Sequence, residues 1–170
     1  QKSQLDIKII KNILINQTGQ FSFIIKYYNY IYAVVDVVCS YPLFYSINRD
    51  RVSISNSAPI LKTKYGLNNV NSDALLEFYA SGYVTGNNTI YNNLFKMGPG
   101  EIISINTKNN SYKCEQYYVY QPIVKQQKNK TTKDYLDELN VLMDAIINQV
   151  IENANGAPIW LPLSGGLDSR

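Results

Sequence analysis

Leu5, Ile9, Ile10, Ile13 and Leu14, with Lys8, Lys11 and Asn12 between them, recur at helical spacing. The pattern predicts an amphipathic helix that covers the edge of a sheet and stops at Thr18-Gly19. The period then changes to two. Phe21, Phe23 and Ile25 alternate with Ser22, Ile24 and Lys26, and Tyr30 to Val38 is rich in aromatic and β-branched residues. With a Tyr-Tyr-Asn-Tyr turn between them, these runs predict a β-hairpin. Pro42 opens a short Leu43-Phe44-Tyr45 strand, Asn48-Arg49-Asp50 is turn chemistry, and Val52 to Ser55 returns as a further strand.

Asn71 or Ser72 is placed to cap a helix running through Asp73, Leu75, Leu76, Phe78 and Tyr79, with Gly82 as its left-handed stop. After Met97-Gly98-Pro99-Gly100, the stretches Glu101 to Asn106 and Ser111 to Tyr118 form a second predicted hairpin around Lys108-Asn109-Asn110. Residues 121 to 130 are polar and read as a linker. Thr131 with Asp134 three residues on then resembles a capping box. Leu136, Leu139, Met143, Ile146, Ile147 and Val150 form a helical stripe behind it, ending at Asn153-Ala154-Asn155-Gly156. Ile159-Trp160-Leu161-Pro162-Leu163 is an apolar run suited to a strand buried on both faces, with Pro162 at its end.

Composition narrows the chemistry. The 170 residues suffice for one domain with a sizeable core and part of another. The net charge of +3 comes from scattered residues rather than a basic block, which speaks against nucleic acid. With no histidine in the chain, Ser-His-Asp and Cys-His catalysis and imidazole metal sites are excluded. Cys39 and Cys114 form no C-x-x-C pair, so a reduced, cytoplasmic protein is expected, with the cysteines packed in the core. No apolar run reaches the roughly 18 residues of a membrane span. Tyr27, Tyr28, Tyr30 and Tyr32 lie close together and are compatible with a binding face, but alternation in half-buried strands explains them equally and is the preferred reading.

The sharpest motif is Ser164-Gly165-Gly166-Leu167-Asp168-Ser169, placed after the apolar run. Glycines at such a turn leave main-chain N–H groups open to a polyphosphate. The serine hydroxyls add donors, and Asp168 is the type of ligand that holds Mg2+ together with phosphate oxygens. A plain strand-to-helix turn with Asp168 as its cap would show the same residues. The placement after a buried strand favours nucleotide.

Leu163 to Ser169 resembles the pyrophosphate loop of the ATP-pyrophosphatase superfamily, and the chain before it resembles the asparagine synthetase family. Gly19-Gln20-Phe21-Ser22-Phe23 is similar to that family's G-x-F-S/A-F strand, and Asp36 to Tyr45 to its R-D-x-x-G-x-x-P-L-Y-Y segment. Ala74 to Val84, Thr89-Ile90-Tyr91 and Met97 to Gly100 follow in the family's order. The resemblance implies an α+β protein. Residues 1–122 would form a glutamine amidotransferase-like, N-terminal-nucleophile-type antiparallel sandwich lacking its N-terminal strand, and residues 123–130 a linker. Residues 131–170 would begin an α/β adenine nucleotide α-hydrolase-like synthetase domain.

The same resemblance implies ATP-dependent amide formation through an acyl-adenylate, with nitrogen from glutamine and aspartate as the expected acceptor carboxylate. The remainder of the polypeptide, and a homodimer, count among the partners the family allows. Leu163 would offer backbone contacts to adenine and Ser164, Gly165, Gly166, Leu167, Asp168 and Ser169 would hold the phosphates. Asp168 would hold Mg2+, and Asp36 would bind the glutamine amino group or, equally, serve as a turn residue satisfied by local backbone. The pattern departs at Val35, where the family has arginine, and at Cys39, where it has glycine. The family's nucleophile is an N-terminal cysteine whose own amine is the base, and the first residue here is Gln1. The expectation is therefore either that an upstream segment carries the nucleophile, the sequence being truncated at both ends, or that this is a glutaminase-dead relative such as a β-lactam synthetase or lasso-peptide cyclase; a non-catalytic sandwich used for assembly is the further alternative.

Overall fold

A computed structural model describes residues 6–48, 51–121 and 130–166. The chain divides into two compact units, Gln1–Gln121 and Pro122–Arg170. In the first unit the elements run α1 (Ile7–Ile15), β1 (Ser22–Tyr27), β2 (Tyr30–Val35), β3 (Phe44–Asn48), β4 (Arg51–Ser55), α2 (Ala58–Tyr65), α3 (Ser72–Ser81), β5 (Leu94–Lys96), β6 (Glu101–Asn106) and β7 (Tyr112–Gln116). The second contains α4 (Thr132–Ala154).

Two antiparallel sheets result, ordered β1-β2-β6-β7 and β4-β3-β5. Strand alternation decides what each face does. Ala33, Val35, Ile103 and Ile105 of the first sheet and Tyr45 of the second pack, with Leu43 and Met97, into one buried cluster, so the sheets stack face to face. Opposite faces of β2 and β6 send Tyr32, Val34 and Ile102 outward against Leu14 of α1. Phe44 of β3 and Leu94 of β5 meet Leu61 of α2 in a third cluster. The first unit is therefore layered helix, sheet, sheet, helix, consistent with the sandwich expected from the sequence.

Both predicted hairpins form, β1 with β2 and β6 with β7, in the expected antiparallel sense. The left-handed residues Tyr28 and Asn110 sit at their turns. Asn71 caps α3 by accepting from the Ala74 N–H, and Gly82 ends it at φ 82°. Three expectations need correction. Helix α1 lies against the face of the first sheet rather than its edge, because Leu14 reaches the Tyr32 and Val34 row.

The run Ile159 to Leu163 forms no strand. A strand needs a neighbour to complete its ladder, and no described strand lies beside this one; Trp160 is 89% exposed. Cys114 is exposed on the edge strand β7 rather than packed in the core. Sequence reading also passed over α2 and β5. The first is eight residues long with no apolar stripe, although Ser57, Pro59 at its start and Gly66 as a left-handed cap were available signals.

In the second unit Thr131 and Asp134 form the capping box in full, each side chain accepting from the other's main chain. The stripe residues Leu136, Leu139, Met143, Ile146, Ile147 and Val150 are all exposed. Asn155 ends the helix in the left-handed conformation. Among the described residues no helix is long and apolar enough to cross a membrane.

Candidate functional site

Strand β2 ends at Val35 and the chain must turn from one sheet to the other before β3 begins at Phe44. Asp36 makes that turn. Its side chain is 1% exposed, and three main-chain donors converge on it. The Phe21 N–H donates to Oδ2 at 3.0 Å and the Val38 N–H to Oδ1 at 2.9 Å. The Ser40 N–H reaches both oxygens, at 3.2 and 3.1 Å. Burial pushes the carboxyl up, but the bonds from Val38, Phe21 and Ser40, including the Ser40 side chain, outweigh it and leave Asp36 below the ordinary range. The carboxylate is ionised and both of its oxygens accept from backbone donors.

The main chain of Asp36 is used as fully. Its N–H donates to the Phe21 carbonyl at 3.0 Å, and its carbonyl accepts from Cys39 at 3.0 Å and from Gly100 at 2.9 Å. One residue thus joins the start of β1, the inter-sheet loop and the entry to β6. Next to it Tyr117 donates its hydroxyl to the Val35 carbonyl at 2.8 Å. Burial first, and the Asp36 charge second, push that phenol up to about 12.

The Met97-Gly98-Pro99-Gly100 segment faces this loop. Gly100 has φ +64°, and a Cβ there would lie 2.6 Å from the Tyr118 carbonyl oxygen, so only glycine fits. A Cβ on Gly98 would meet the Asn87 side chain at 2.7 Å. Glu101, itself buried, accepts from the Gly98 N–H at 2.8 Å and from the Asn87 amide at 2.8 and 3.0 Å. Sequence reasoning missed Glu101 and Tyr117. The available signal for Glu101 was a carboxylate entering an otherwise apolar strand directly after a Gly-Pro-Gly turn.

The two departures from the family pattern acquire physical meaning here. Val35 is fully buried in the inter-sheet cluster, a setting that accepts a small apolar side chain and not a guanidinium. Cys39, where the pattern has glycine, takes φ +58°, the left-handed region that glycine enters without strain. Its thiol lies 3.4 Å from the Met97 carbonyl oxygen, donating to it, and burial raises its pKa.

A cleft of about 490 Å³ opens beside this node, lined by Gln20, Phe21, Ser22, Tyr41, Pro42 and Asn56. One wall is the β1 entry and the other the end of the inter-sheet loop. Asp36 binds the main chain of both, through Phe21 and Ser40.

Of the phosphate-loop residues, Leu163, Ser164, Gly165 and Gly166 are described; Leu167, Asp168 and Ser169 lie outside the described residues. Leu163 is exposed, the Gly166 N–H donates to Ser164 Oγ at 3.2 Å, and a Cβ on Gly165 would meet nothing within 4 Å. A side chain at position 165 would therefore meet no described neighbour. Among the described residues no cluster of acidic or thiol side chains is arranged for a metal.

The model of the glutamine amidotransferase domain family matches residues 8–118, a span that holds both sheets, the Asp36 node and the Met97 to Gly100 turn. No curated protein matches the sequence. With more than half of its length covered by that match and a layered pair of antiparallel sheets beneath it, this chain belongs to the glutamine amidotransferase domain family.

Proposed function

We propose that this amidotransferase domain serves an ATP-dependent amide synthetase of the asparagine synthetase type, in which glutamine nitrogen is transferred to a carboxylate, with aspartate as the acceptor. The observation that carries the synthetase half is the Ser164-Gly165-Gly166-Leu167-Asp168-Ser169 motif, which follows the amidotransferase domain on the same chain. Its residue types suit a polyphosphate: consecutive glycines leave room at the turn, and serine hydroxyls flank them. In this reading Leu163 offers main-chain contacts to adenine, residues Ser164 to Ser169 hold the phosphates, and Asp168 holds Mg2+. ATP and Mg2+ when bound supply carboxylate activation, with the metal offsetting charge on departing pyrophosphate.

Glutamine hydrolysis in this family's chemistry needs a nucleophile with its own free amine. Cys39 and Cys114 have neighbours on both sides in the chain and supply none. The sandwich supplies instead the framework around a donor site, with Asp36 fixing the loop between its sheets.

The test uses the full-length polypeptide. Asp168→Asn should abolish aspartate-dependent ATP–pyrophosphate exchange while thermal unfolding of the amidotransferase domain stays unchanged. Normal exchange in that variant would overturn the phosphate-loop assignment. The burial of Val35 in place of the family arginine favours a second reading, a relative that forms amides without hydrolysing glutamine. Product formation that depends on ammonium salts but not on glutamine would select it.

A further inference from the structure

We infer that Asn155-Gly156, at the end of α4, is a self-modification site at which the asparagine side chain loses ammonia to its own backbone and becomes aspartate or isoaspartate. The reaction is intramolecular. The Gly156 main-chain nitrogen attacks Cγ of Asn155, a C–N bond forms, and the bond from Cγ to the side-chain nitrogen breaks. Ammonia leaves with the proton that the Gly156 nitrogen gives up, and a five-membered succinimide remains. Water then opens the ring at either carbonyl, giving aspartate by one route and, by the other, isoaspartate with the main chain running through the former side chain. Water is the sole co-reactant, and nothing is oxidised or reduced.

Three conditions decide where an asparagine does this. The following residue must be small enough for its nitrogen to reach Cγ, its N–H must be free to turn, and the side-chain amide must not be held elsewhere. Among the described residues, Asn56, Asn71, Asn110 and Asn155 precede glycine or serine. The first three are held. The Ser57 N–H donates to Ser55 Oγ at 3.1 Å, which restrains the nitrogen that would attack Asn56. Asn71 Oδ1 accepts from the Ala74 N–H at 3.1 Å as the cap of α3. The Ser111 N–H donates to Asn109 Oδ1 at 3.0 Å, which restrains the nitrogen that would attack Asn110.

Asn155 meets all three conditions. It and Gly156 are exposed, and even a Cβ built on Gly156 would meet nothing within 4 Å. The chain has left the helix here, with Asn155 at φ 46° and Gly156 at φ 81°, in a turn closed by the Ala157 N–H donating to the Ala154 carbonyl at 2.8 Å. Among the described residues, the peptide unit joining Asn155 to Gly156 makes no hydrogen bond, and neither does the Asn155 side chain. The product carries a new carboxylate at the negative end of the α4 dipole, beside Glu152, and no basic residue of the last turn offsets it. Modification therefore loosens the end of α4 ahead of the Ser164 segment.

The experiment incubates the 170-residue chain in mildly alkaline buffer made with heavy-oxygen water and maps its peptides over time by mass spectrometry. Asn155 should convert first, with uptake of heavy oxygen, at least about tenfold faster than Asn56, Asn71 and Asn110. In denaturant those three sites, released from their hydrogen bonds, should accelerate more than Asn155. Equal rates at the four sites in the folded chain, or no conversion at Asn155, would overturn the inference. So would a larger acceleration of Asn155 than of the other three on unfolding, because the fold would then be protecting it. The converted chain should also exchange the amide hydrogens of residues 152–155 faster than the fresh chain; unchanged exchange would overturn the consequence drawn for α4.

Discussion

Phe21 and Asp36 are bonded twice over, by side chain and by backbone. The Phe21 N–H donates to Asp36 Oδ2 and the Asp36 N–H donates to the Phe21 carbonyl, both at 3.0 Å. The pair extends the β1–β2 ladder by one step beyond Ser22 and Val35, the last residues in register, at the point where the chain leaves the sheet. An aspartate at this position ends a strand and starts a loop in one residue, because its oxygens gather the N–H groups that the turn would leave unpaired.

Removing that carboxylate exposes its value. Asp36→Ala leaves three part-buried N–H groups without their charged acceptor and should lower unfolding free energy by about 1–3 kcal/mol, since bonds to charged acceptors are the costly ones to lose. Asp36→Asn keeps one oxygen and should cost less. Chemical denaturation of the three proteins ranks them; an Asp36→Ala chain as stable as the parent would refute the node.

The pH dependence follows from the same carboxyl. Its folded pKa lies below the ordinary value of 3.8, so its contribution is complete above that value and is lost as pH falls through the lower, folded one. Between pH 7 and pH 4 the Asp36 contribution should stay constant, and below about pH 3.8 it should decline. Thermal unfolding followed across this range should show a shallower acid limb in Asp36→Asn than in the parent.

Cys39 carries strain that the family's glycine would not. Cys39→Gly relieves the left-handed backbone but gives up the thiol donation to Met97, and the expected balance is a gain of about 0.5–1 kcal/mol. Cys39→Ala keeps the strain and loses the thiol, so it should be less stable than the parent. The order Gly, Cys, Ala in melting temperature is the expected result; Ala above Gly would show that the backbone at this position is unstrained.

Ser46 sits at 1% exposure on the central strand β3, and its hydroxyl has no hydrogen-bond partner among the described residues. Deleting an unsatisfied buried hydroxyl removes a desolvation cost and leaves only a small void. Ser46→Ala should therefore be neutral or stabilising by up to about 1 kcal/mol, measured by denaturant unfolding. A loss above that would reveal a partner that the hydroxyl holds in solution.

Local chemistry was legible in the sequence wherever one short segment held all the parts of a device. Thr131 with Asp134, Asn71 before Asp73, Gly82 after Tyr79 and the alternation of Phe21 to Lys26 each announce their structure, because caps and pleats act over a few residues. The family pattern was legible in the same way, through the order of its motifs. The roles of Asp36 and Glu101 were not, since each depends on groups that only the folded chain brings together: the Phe21 N–H, 15 positions from Asp36 across the β1–β2 hairpin, and the Asn87 side-chain amide, 14 from Glu101. Sequence alone left Asp36 divided between a ligand to glutamine and a locally satisfied turn residue; the tertiary structure set its carboxylate among backbone donors at 1% exposure. The run Ile159 to Leu163 shows the converse. Its composition is that of a buried strand, but a strand is a relation between two segments, and only the fold decides whether a second one lies alongside.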